Sequence, residues 1–556
     1  MTPEFLQTTS SWVEETLAQL SPRERIAQLL HVASWSNRGP EHQAQVIRNI
    51  EAHGIGGVIF FQGDPEDQWD FTHAYQQASK VPLMISIDAE WGLAMRLTRS
   101  VQFPYAMTMG AMEDIDLIYQ AGAELGRQCR RLGIHMNHAP SVDINTEPDN
   151  PVIGFRSFGD QPEEVARRAA AFMKGMQDQG VLAVAKHFPG HGDTKTDSHL
   201  SLPLLPHDRK RLREVELKPF RHLIGEGVAG VMTGHLHVPA IDPSPNIGGT
   251  LSPVIAKQLL QSELGFEGLV ITDALDMKGV TEHFTPAEIN LRAALAGHDI
   301  LLFCVDVPGS IEAIEQAVAA GRISQEDIDR RCRKQLLAKA WLGLDQQVLP
   351  SRENLIQDLN PVAAAQLNQQ IADASVTLLK APKVPSVPEE TVSLALWASQ
   401  EAQSDQLAHH QLTATASEAQ PSDLTIFQEE LKHAGVPTHY RFSLGQSEAE
   451  WEALNKALER ADHVLLGLHG LHIKASFRFG ITEELNEKLT QLIATGKVSL
   501  CVFGNGYSLR LMPDLTKCQG IVLTYQDTEY AQLAAARVMS GQAPARGKNH
   551  LKVGLS

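Results

Sequence analysis

Short apolar runs alternate with longer amphipathic segments from the start of the chain. Runs of four to eight apolar residues are typical of buried strands, and longer segments with helical periodicity are typical of helices that cover a sheet. The eight runs before residue 345 are 29–34, 56–61, 82–88, 134–144, 181–185, 228–233, 268–272 and 299–304. Eight strand–helix repeats of this length predict a TIM-type (β/α)8 barrel, with a doubly wound open sheet as the alternative.

The pattern changes after the eighth repeat. Residues 360–377 have the periodicity of a connecting helix, and the Pro-bearing stretch 380–385 is typical of a linker. Beyond it, apolar runs at 392–398, 464–468, 498–504 and 521–525 predict a second set of strands, and Thr482 is a candidate N-cap for a helix ending near Gly496. We therefore expect a barrel over 1–345, a helical connector and linker over 346–384, and a smaller αβα sandwich over 385–556.

Polar side chains follow the apolar runs at the points where the predicted strands end. This placement favours the barrel over the open sheet, because a ring of loops after the strands would converge on one mouth. The length of 556 residues fits two domains, and 43% hydrophobic and 21% charged residues are typical of a globular protein.

Charge excludes some partners. The formal net charge is −18, and no Lys/Arg-rich run of the kind that follows phosphates occurs. Nucleic acid and anionic membranes are therefore not expected as partners. The oligomeric state expected is a monomer or a weak homo-oligomer.

The cysteine pattern and the N-terminus bear on location. Five widely spaced cysteines without a CxxC pair predict reduced, buried thiols rather than a disulfide framework or a thiolate zinc site. The first residues lack a basic segment followed by an apolar core, and no stretch approaches about 20 apolar residues, so neither signal peptide nor membrane span is predicted. We expect a cytoplasmic protein, or a periplasmic or exported one if a signal was removed.

The most polar stretch follows the fifth apolar run. Pro189, Gly190 and Gly192 oppose a regular helix or a continued strand, so this stretch is predicted to be a long loop at the carboxyl end of a strand. That end is where barrels place their chemistry, although a solvated surface loop is the simpler alternative. The stretch, KHFPGHGDTKTDSHLSLP at residues 186–203, carries Lys186, His187, His191, Asp193, Asp197 and His199. In it, Asp197 precedes His199 by two residues, so the carboxylate can orient the imidazole as an acid/base pair.

This loop resembles the KHFPGHGDTxxDSHxxLP signature of the β-N-acetylglucosaminidases of glycoside hydrolase family 3. A second match is LVITDA at residues 269–274. The resemblance covers the region before residue 345 closely and the remainder more loosely, as in two-domain members. It implies a retaining exo-β-N-acetylglucosaminidase that removes terminal β-linked GlcNAc and needs neither metal nor organic cofactor.

The resemblance also implies residues that hold the terminal sugar. Asp88 and Arg96 match the family's hydroxyl ligands, although Trp91 and Leu93 replace a Gly and an Arg of its EGGR motif. NPVIGFRSFG at residues 150–159 resembles NPVIGxRSFG, which makes Arg156 a sugar ligand. The matching pair after the fifth strand is Lys186 and His187. His235, after the sixth strand, either lines the pocket or packs in the core.

The resemblance assigns Asp273 as the nucleophile that forms a glycosyl-enzyme ester, and His199, supported by Asp197, as the acid/base. The nearby carboxylate of Asp197 would orient the imidazole and raise its pKa. Asp276 lies past the attacking position and is interpreted as a charge near the start of the next helix. The natural substrate could be a muropeptide fragment, a chitin oligomer or a glycan end, so peptidoglycan turnover and chitin degradation both fit.

Three alternatives remain open on the residues alone. Because a neutral imidazole does not repel an anion, phosphate could replace water as the acceptor of the glycosyl group. The protein would then be a β-N-acetylglucosaminide phosphorylase that uses the same site. A sugar-binding protein without catalysis would need neither a proton shuttle nor a nucleophile. A zinc-dependent barrel hydrolase is the third alternative, with ligands drawn from His187, His191, Asp193, Asp197, His199, His235 and His237.

Overall fold

Eight parallel strands form the sheet of one compact unit, which comprises Met1–Gln102, Ile118–Ile153 and Pro162–Pro361. The computed structural model describes residues 1–196, 201–346, 348–381, 391–398 and 424–553. The strands of this unit are β1 Leu30–Ser34, β2 Gly57–Phe60, β3 Met84–Ile87, β4 Met136–Asn137, β5 Leu182–Phe188, β6 Gly230–Thr233, β7 Leu269–Thr272 and β8 Leu301–Leu302.

The sheet follows chain order and closes on itself. Its strand order is β7-β6-β5-β4-β3-β2-β1-β8, and a parallel bridge between Ile271 and Ile300 joins the two ends. The predicted barrel is therefore confirmed, and the open doubly wound sheet is not what forms. Each strand lies near its predicted run, but β4 is shorter because the chain leaves the sheet after Asn137.

Helices cover the outside of the barrel. Several begin at a residue whose side chain accepts a free backbone N–H, including Ser21, Asp64 and Ser324, which explains why the helices start there. The helices are Ser11–Gln19, Pro22–Ala27, Gly39–His53, Pro65–Ala78, Ile115–Arg131, Pro162–Asp178, Arg209–Glu214, Leu217–Gly225, the π-helix Val254–Glu263, Lys278–Thr281, Pro286–Ala296, Val307–Ala319, Gln325–Trp341 and Leu355–Leu359.

A second compact unit comprises Phe103–Leu117, Gly154–Gln161 and Val362–Ser556. Its strands are β9 Thr377–Lys380, β10 Thr391–Trp397, β11 Thr438–Ser443, β12 His463–His469, β13 Val498–Val502 and β14 Gly520–Leu523. They form a sheet in the order β11-β10-β12-β13-β14-β9, which is parallel except for the edge strand β9. Its helices are Ala106–Gly110, Val362–Ser375, Ile426–His433, Glu448–Leu458, Glu483–Ala494 and Glu529–Met539.

Both faces of this second sheet are covered. Consecutive residues of β12 and β13 are buried, so neither face is left to solvent, as in an αβα sandwich. Thr482 is confirmed as an N-cap, because its side chain accepts the N–H of Leu485.

The connector prediction needs correction at its end. Helix Val362–Ser375 forms, but Thr377 begins strand β9, which pairs antiparallel with β14. β11 was not predicted, because its alternation is weak and all its residues are only half-buried. Residues 382–390, where the linker was placed, lie outside the described residues, so the boundaries at 345 and 384 stay a prediction.

Two expectations about chemistry and location bear on the fold. All five cysteines are buried and unbridged, as predicted: Cys129, Cys304, Cys332, Cys501 and Cys518. Within the described ranges, no helix combines the length and apolar character that a membrane crossing requires.

Candidate active site

Strand alternation brings three charged residues to the inside of the barrel. Met84, Leu182 and Leu269 belong to one buried cluster that fills the barrel. Successive side chains of a strand point to opposite faces, so residues four positions later share the inward face. Those residues are Asp88, Lys186 and Asp273, and each lies where its strand ends or just beyond.

Asp88 is the centre of an ion-pair network. Lys186 Nζ lies 2.8 Å from Asp88 Oδ1, and Arg96 lies 2.8 Å from Asp88 Oδ2. Lys186 also lies 2.8 Å from Glu90 Oε1, so one ammonium joins two carboxylates. The Arg96 guanidinium is in turn placed over the ring of Phe61, 4.7 Å from its centroid.

The network keeps Asp88 ionised. Burial by itself would raise the pKa of this carboxyl, but the charges of Lys186 and Arg96 hold the pKa well below its usual range. An ionised carboxylate is an acceptor on both oxygens, with lone pairs to spare beyond its two cations. Asp88 can therefore accept hydrogen bonds from the hydroxyls of a polar ligand.

His187 is held by a residue that sequence reasoning missed. Asp143 is fully buried, and its Oδ2 lies 2.7 Å from His187 Nδ1. The same carboxylate accepts backbone N–H groups of His187 at 3.2 Å and of His191 at 2.7 Å. Asp143 therefore fixes the orientation of the His187 ring through Nδ1.

The beginning of the long loop packs tightly on the barrel. A Cβ atom at Gly192 would lie 1.8 Å from the carbonyl oxygen of Ile144, so only glycine fits there. His191 Nδ1 lies 2.8 Å from Thr194 Oγ1, and Asn150 donates to the His191 carbonyl at 2.9 Å. This packing fixes the loop as far as Thr194.

Asp273 is half-buried just beyond β7. Its Oδ1 accepts the N–H of Ala274 at 2.8 Å, and its own N–H donates to the carbonyl of Thr233 at 3.1 Å. His235 has no exposed surface, and its Nε2 lies 2.9 Å from the Ala274 carbonyl. His235 therefore supports the turn that carries Asp273, and its role as a pocket-lining residue stays a prediction. Asp276 is exposed.

His138 lies on the same inward face of the barrel as these groups. It follows Met136 on the inward face of β4 and is fully buried. Burial lowers its pKa to about 4, and the charges that act on the ring come from Asp88, Lys186, Asp273 and Arg96. The predicted nucleophile and three predicted sugar ligands therefore act on a single buried imidazole.

Three predicted site residues are not among the described residues of the barrel unit. Asp197 and His199 lie outside the described residues, so the acid/base pair stays a prediction. Arg156 belongs to the second compact unit, at the end of the turn Gly154–Arg156.

The zinc ligand set of the third alternative does not gather among the described residues. His187 and His191 contact Asp143 and Thr194, and His235 contacts a backbone carbonyl.

The site residues that the sequence motifs did not identify carried a weak signal: Asp143 and His138 are polar residues inside an apolar run, which is unusual in a buried strand. Glu90 was noted only as part of a motif.

Asp143→Asn is expected to lower the free energy of unfolding by about 1.5–3 kcal/mol, the range for hydrogen bonds to charged groups. Burial alone would raise the pKa of Asp143, but His187 and the N–H donors hold it below its usual value. A carboxylate whose pKa is lower in the folded state stabilises the fold at pH values above its unfolded-state pKa of about 3.9, and this contribution is lost as pH falls through the folded-state pKa. Urea unfolding at several pH values should therefore show that the difference in free energy of unfolding between wild type and Asp143→Asn is constant above about pH 4 and becomes smaller below it.

The exposed Asp70 provides the control, because Asp70→Asn removes a surface carboxylate. Its effect is expected to lie within about 0.5 kcal/mol. A gap between wild type and Asp143→Asn that persists unchanged into strong acid would contradict the proposed role of the charge.

Comparison with known families identifies the chain. Residues 21–337 match the model of the glycosyl hydrolase family 3 N terminal domain, which is more than half of the sequence. The chain belongs to glycosyl hydrolase family 3. The predicted family and enzyme class, a glycoside hydrolase, are thereby confirmed.

Individual family 3 proteins extend the comparison. The chain is 37% identical over 296 residues to beta-hexosaminidase A of Pseudoalteromonas piscicida, covering 49% of each protein, so it spans about half that relative. It is 35% identical over 327 residues to beta-hexosaminidase LpqI of Mycobacterium tuberculosis, covering 56% of this chain and 81% of that protein. A solved family 3 beta-N-acetylglucosaminidase from Paenibacillus sp. str. FPU-7 is 30% identical, with a TM-score of 0.79 over 97% of this chain and 100% of the other.

Proposed function

We propose that this protein is a retaining exo-β-N-acetylglucosaminidase. The observation that carries the proposal is the convergence of Asp273 with the Asp88–Lys186–Arg96 network at the mouth of a family 3 barrel. A binding protein would have use for the network but not for an additional carboxylate beside it. The names of the relatives, beta-hexosaminidase and beta-N-acetylglucosaminidase, support the acetamido sugar as substrate.

The network would hold the terminal sugar. Asp88 accepts from two neighbouring hydroxyls, while Lys186 and Arg96 donate to the same sugar from either side of the carboxylate. His187, whose ring Asp143 orients at Nδ1, would add a further contact to the sugar. These contacts orient the anomeric carbon, so the reaction starts from an aligned complex.

Asp273 would then attack the anomeric carbon. As the new C–O bond forms, the glycosidic bond breaks, and His199 gives its proton to the leaving oxygen. Water next donates a proton to His199 and attacks the ester, which releases the sugar with retained configuration and restores the Asp273 carboxylate. Asp197 orients the His199 ring throughout.

Hydrolysis of aryl glycosides tests the proposal. We expect release of the aryl group from p-nitrophenyl β-GlcNAc to be faster than from the β-glucoside, at a rate that added phosphate leaves unchanged. Analysis of the product by NMR should show free β-GlcNAc as the first anomer formed. A sugar 1-phosphate formed faster in phosphate would replace hydrolysis by phosphorolysis, and the α-anomer as first product would refute retention.

A further inference from the structure

A second group of potential ligands lies at the beginning of the long loop and on the segment that follows it. Asp193, His207 and Glu216 bring three ligand atoms within 4.8 Å of one another. They come from different parts of the chain: the beginning of the loop, the segment after it, and the junction between helices Arg209–Glu214 and Leu217–Gly225. None of them takes part in the proposed chemistry.

Glu216 is the residue that points to a ligand. It is only 4% exposed, and its Oε2 atom has no hydrogen-bond partner among the described residues. A buried carboxylate oxygen without a partner carries a large desolvation cost. Gly190 packs against this side chain, because a Cβ atom there would lie 2.9 Å from Glu216 Cβ. The carboxylate is therefore fixed in place beside the loop.

Asp193 and His207 are fixed by their contact with each other and by the packing of the chain next to them. His207 Nε2 lies 2.7 Å from Asp193 Oδ2. The chain before His207 is fixed by backbone hydrogen bonds, from His237 to Pro203 and from Leu205 to His237. Asp193 follows Gly192, whose close packing on Ile144 leaves the loop little freedom.

The charges in this group do not balance. Arg211 lies 3.4 Å from Asp193 and 3.1 Å from Glu216, so one guanidinium serves two carboxylates. The Arg211 side chain is 37% exposed and can turn towards water when another cation arrives.

We infer that Asp193, His207 and Glu216 form a binding site for a first-row divalent metal ion of the zinc type. One imidazole and two carboxylates are donors that Zn²⁺ accepts, whereas Mg²⁺ and Ca²⁺ prefer oxygen alone. Asp193 precedes residues 197–200 and His207 follows them, so the ion joins the two ends of the segment that contains Asp197 and His199. Its link to catalysis rests on the proposed function, but the binding site does not.

Calorimetric titration of the full chain with ZnCl₂, after removal of metal by a chelator, tests the site. We expect one Zn²⁺ to bind, with no comparable binding of Mg²⁺ or Ca²⁺. Glu216→Gln and His207→Ala each remove a ligand, so affinity should fall beyond the roughly 10–100-fold that loss of an outer partner costs. His207 is half-buried, which makes its variant the safer one for folding. Arg211→Met removes the competing cation and is expected to tighten binding.

Glu430→Gln is the matched control, because Glu430 pairs with a histidine and an arginine, His433 and Arg537, in the second unit. Its zinc affinity should equal that of wild type. The inference is overturned if wild type binds no Zn²⁺, if both ligand variants bind it normally, or if Arg211→Met leaves the affinity unchanged. None of these outcomes depends on hydrolysis, so a failure here leaves the proposed function standing.

Discussion

Asp273→Ala is expected to lower kcat for p-nitrophenyl β-GlcNAc by roughly 10⁴-fold or more, the scale seen when a nucleophile is removed. The loss follows because alanine has no oxygen to attack the anomeric carbon, while Asp88 and Glu90 are both held in ion pairs with Lys186. Stopped-flow and steady-state assays of the two proteins measure the effect. KM should change much less than kcat if Asp273 acts in the bond-breaking step.

Asp276→Ala is the control for this experiment, since Asp276 is a carboxylate three residues away and exposed. Its kcat should stay close to that of wild type. A 2-fluoro sugar that traps the ester should label Asp273, and peptide mapping identifies the labelled residue. A label on Asp276, or an Asp273→Ala variant with undiminished rates, would show that the assigned nucleophile is wrong.

Lys186→Met is expected to have the largest effect on stability. Its side chain is only 3% exposed and lies between Asp88 and Glu90. Removing one partner of a buried ion pair costs about 3–5 kcal/mol, because the remaining charges are left uncompensated. Urea unfolding monitored by tryptophan fluorescence measures the loss, and kcat/KM should fall as well because a proposed sugar ligand is gone.

Acid should partly reverse this loss. In wild type the depressed pKa of Asp88 adds stability above the unfolded value of about 3.9, and this stability disappears as pH falls through the lower folded value. Without Lys186, Asp88 loses the cation that lowers its pKa most, so its pKa is higher in the variant and the difference in stability between the two proteins narrows as pH falls. Lys218→Met breaks an exposed pair with Glu163 and should leave the stability close to that of wild type at any of these pH values. Equal losses in the two lysine variants would rule out the buried network as the cause.

Local patterns were sufficient for the barrel strands but not for all of the second sheet. β2, β6 and β7 are short, apolar and buried on both faces, so hydrophobic runs identify them directly. β9 and β11 lie at the two edges of their sheet, where fewer neighbours cover them and polar residues are tolerated. Their sequences therefore lack the contrast that a buried strand requires.

Some residues of the candidate site could likewise be identified from the sequence, and others only from the structure. Asp88, Arg96, Lys186 and Asp273 could be named from motifs, because each directly follows an apolar run or matches a family signature. Asp143 and His138 could not, since their importance comes from residues 42 to 135 positions away in the sequence, which no local spacing reports. The group of Asp193, His207 and Glu216 is likewise visible only when separate segments meet.

The amino-acid sequence by itself determined the alternation of strands and helices, the family, and the identity of the charged residues at the strand ends, because these depend on periodicity and short motifs. The tertiary structure alone decided which charges meet: that Lys186 joins Asp88 to Glu90, that Asp143 engages His187, and that one face of the barrel collects them. The reason is physical. Pairing and burial depend on distances between strands, which are set only once the barrel closes.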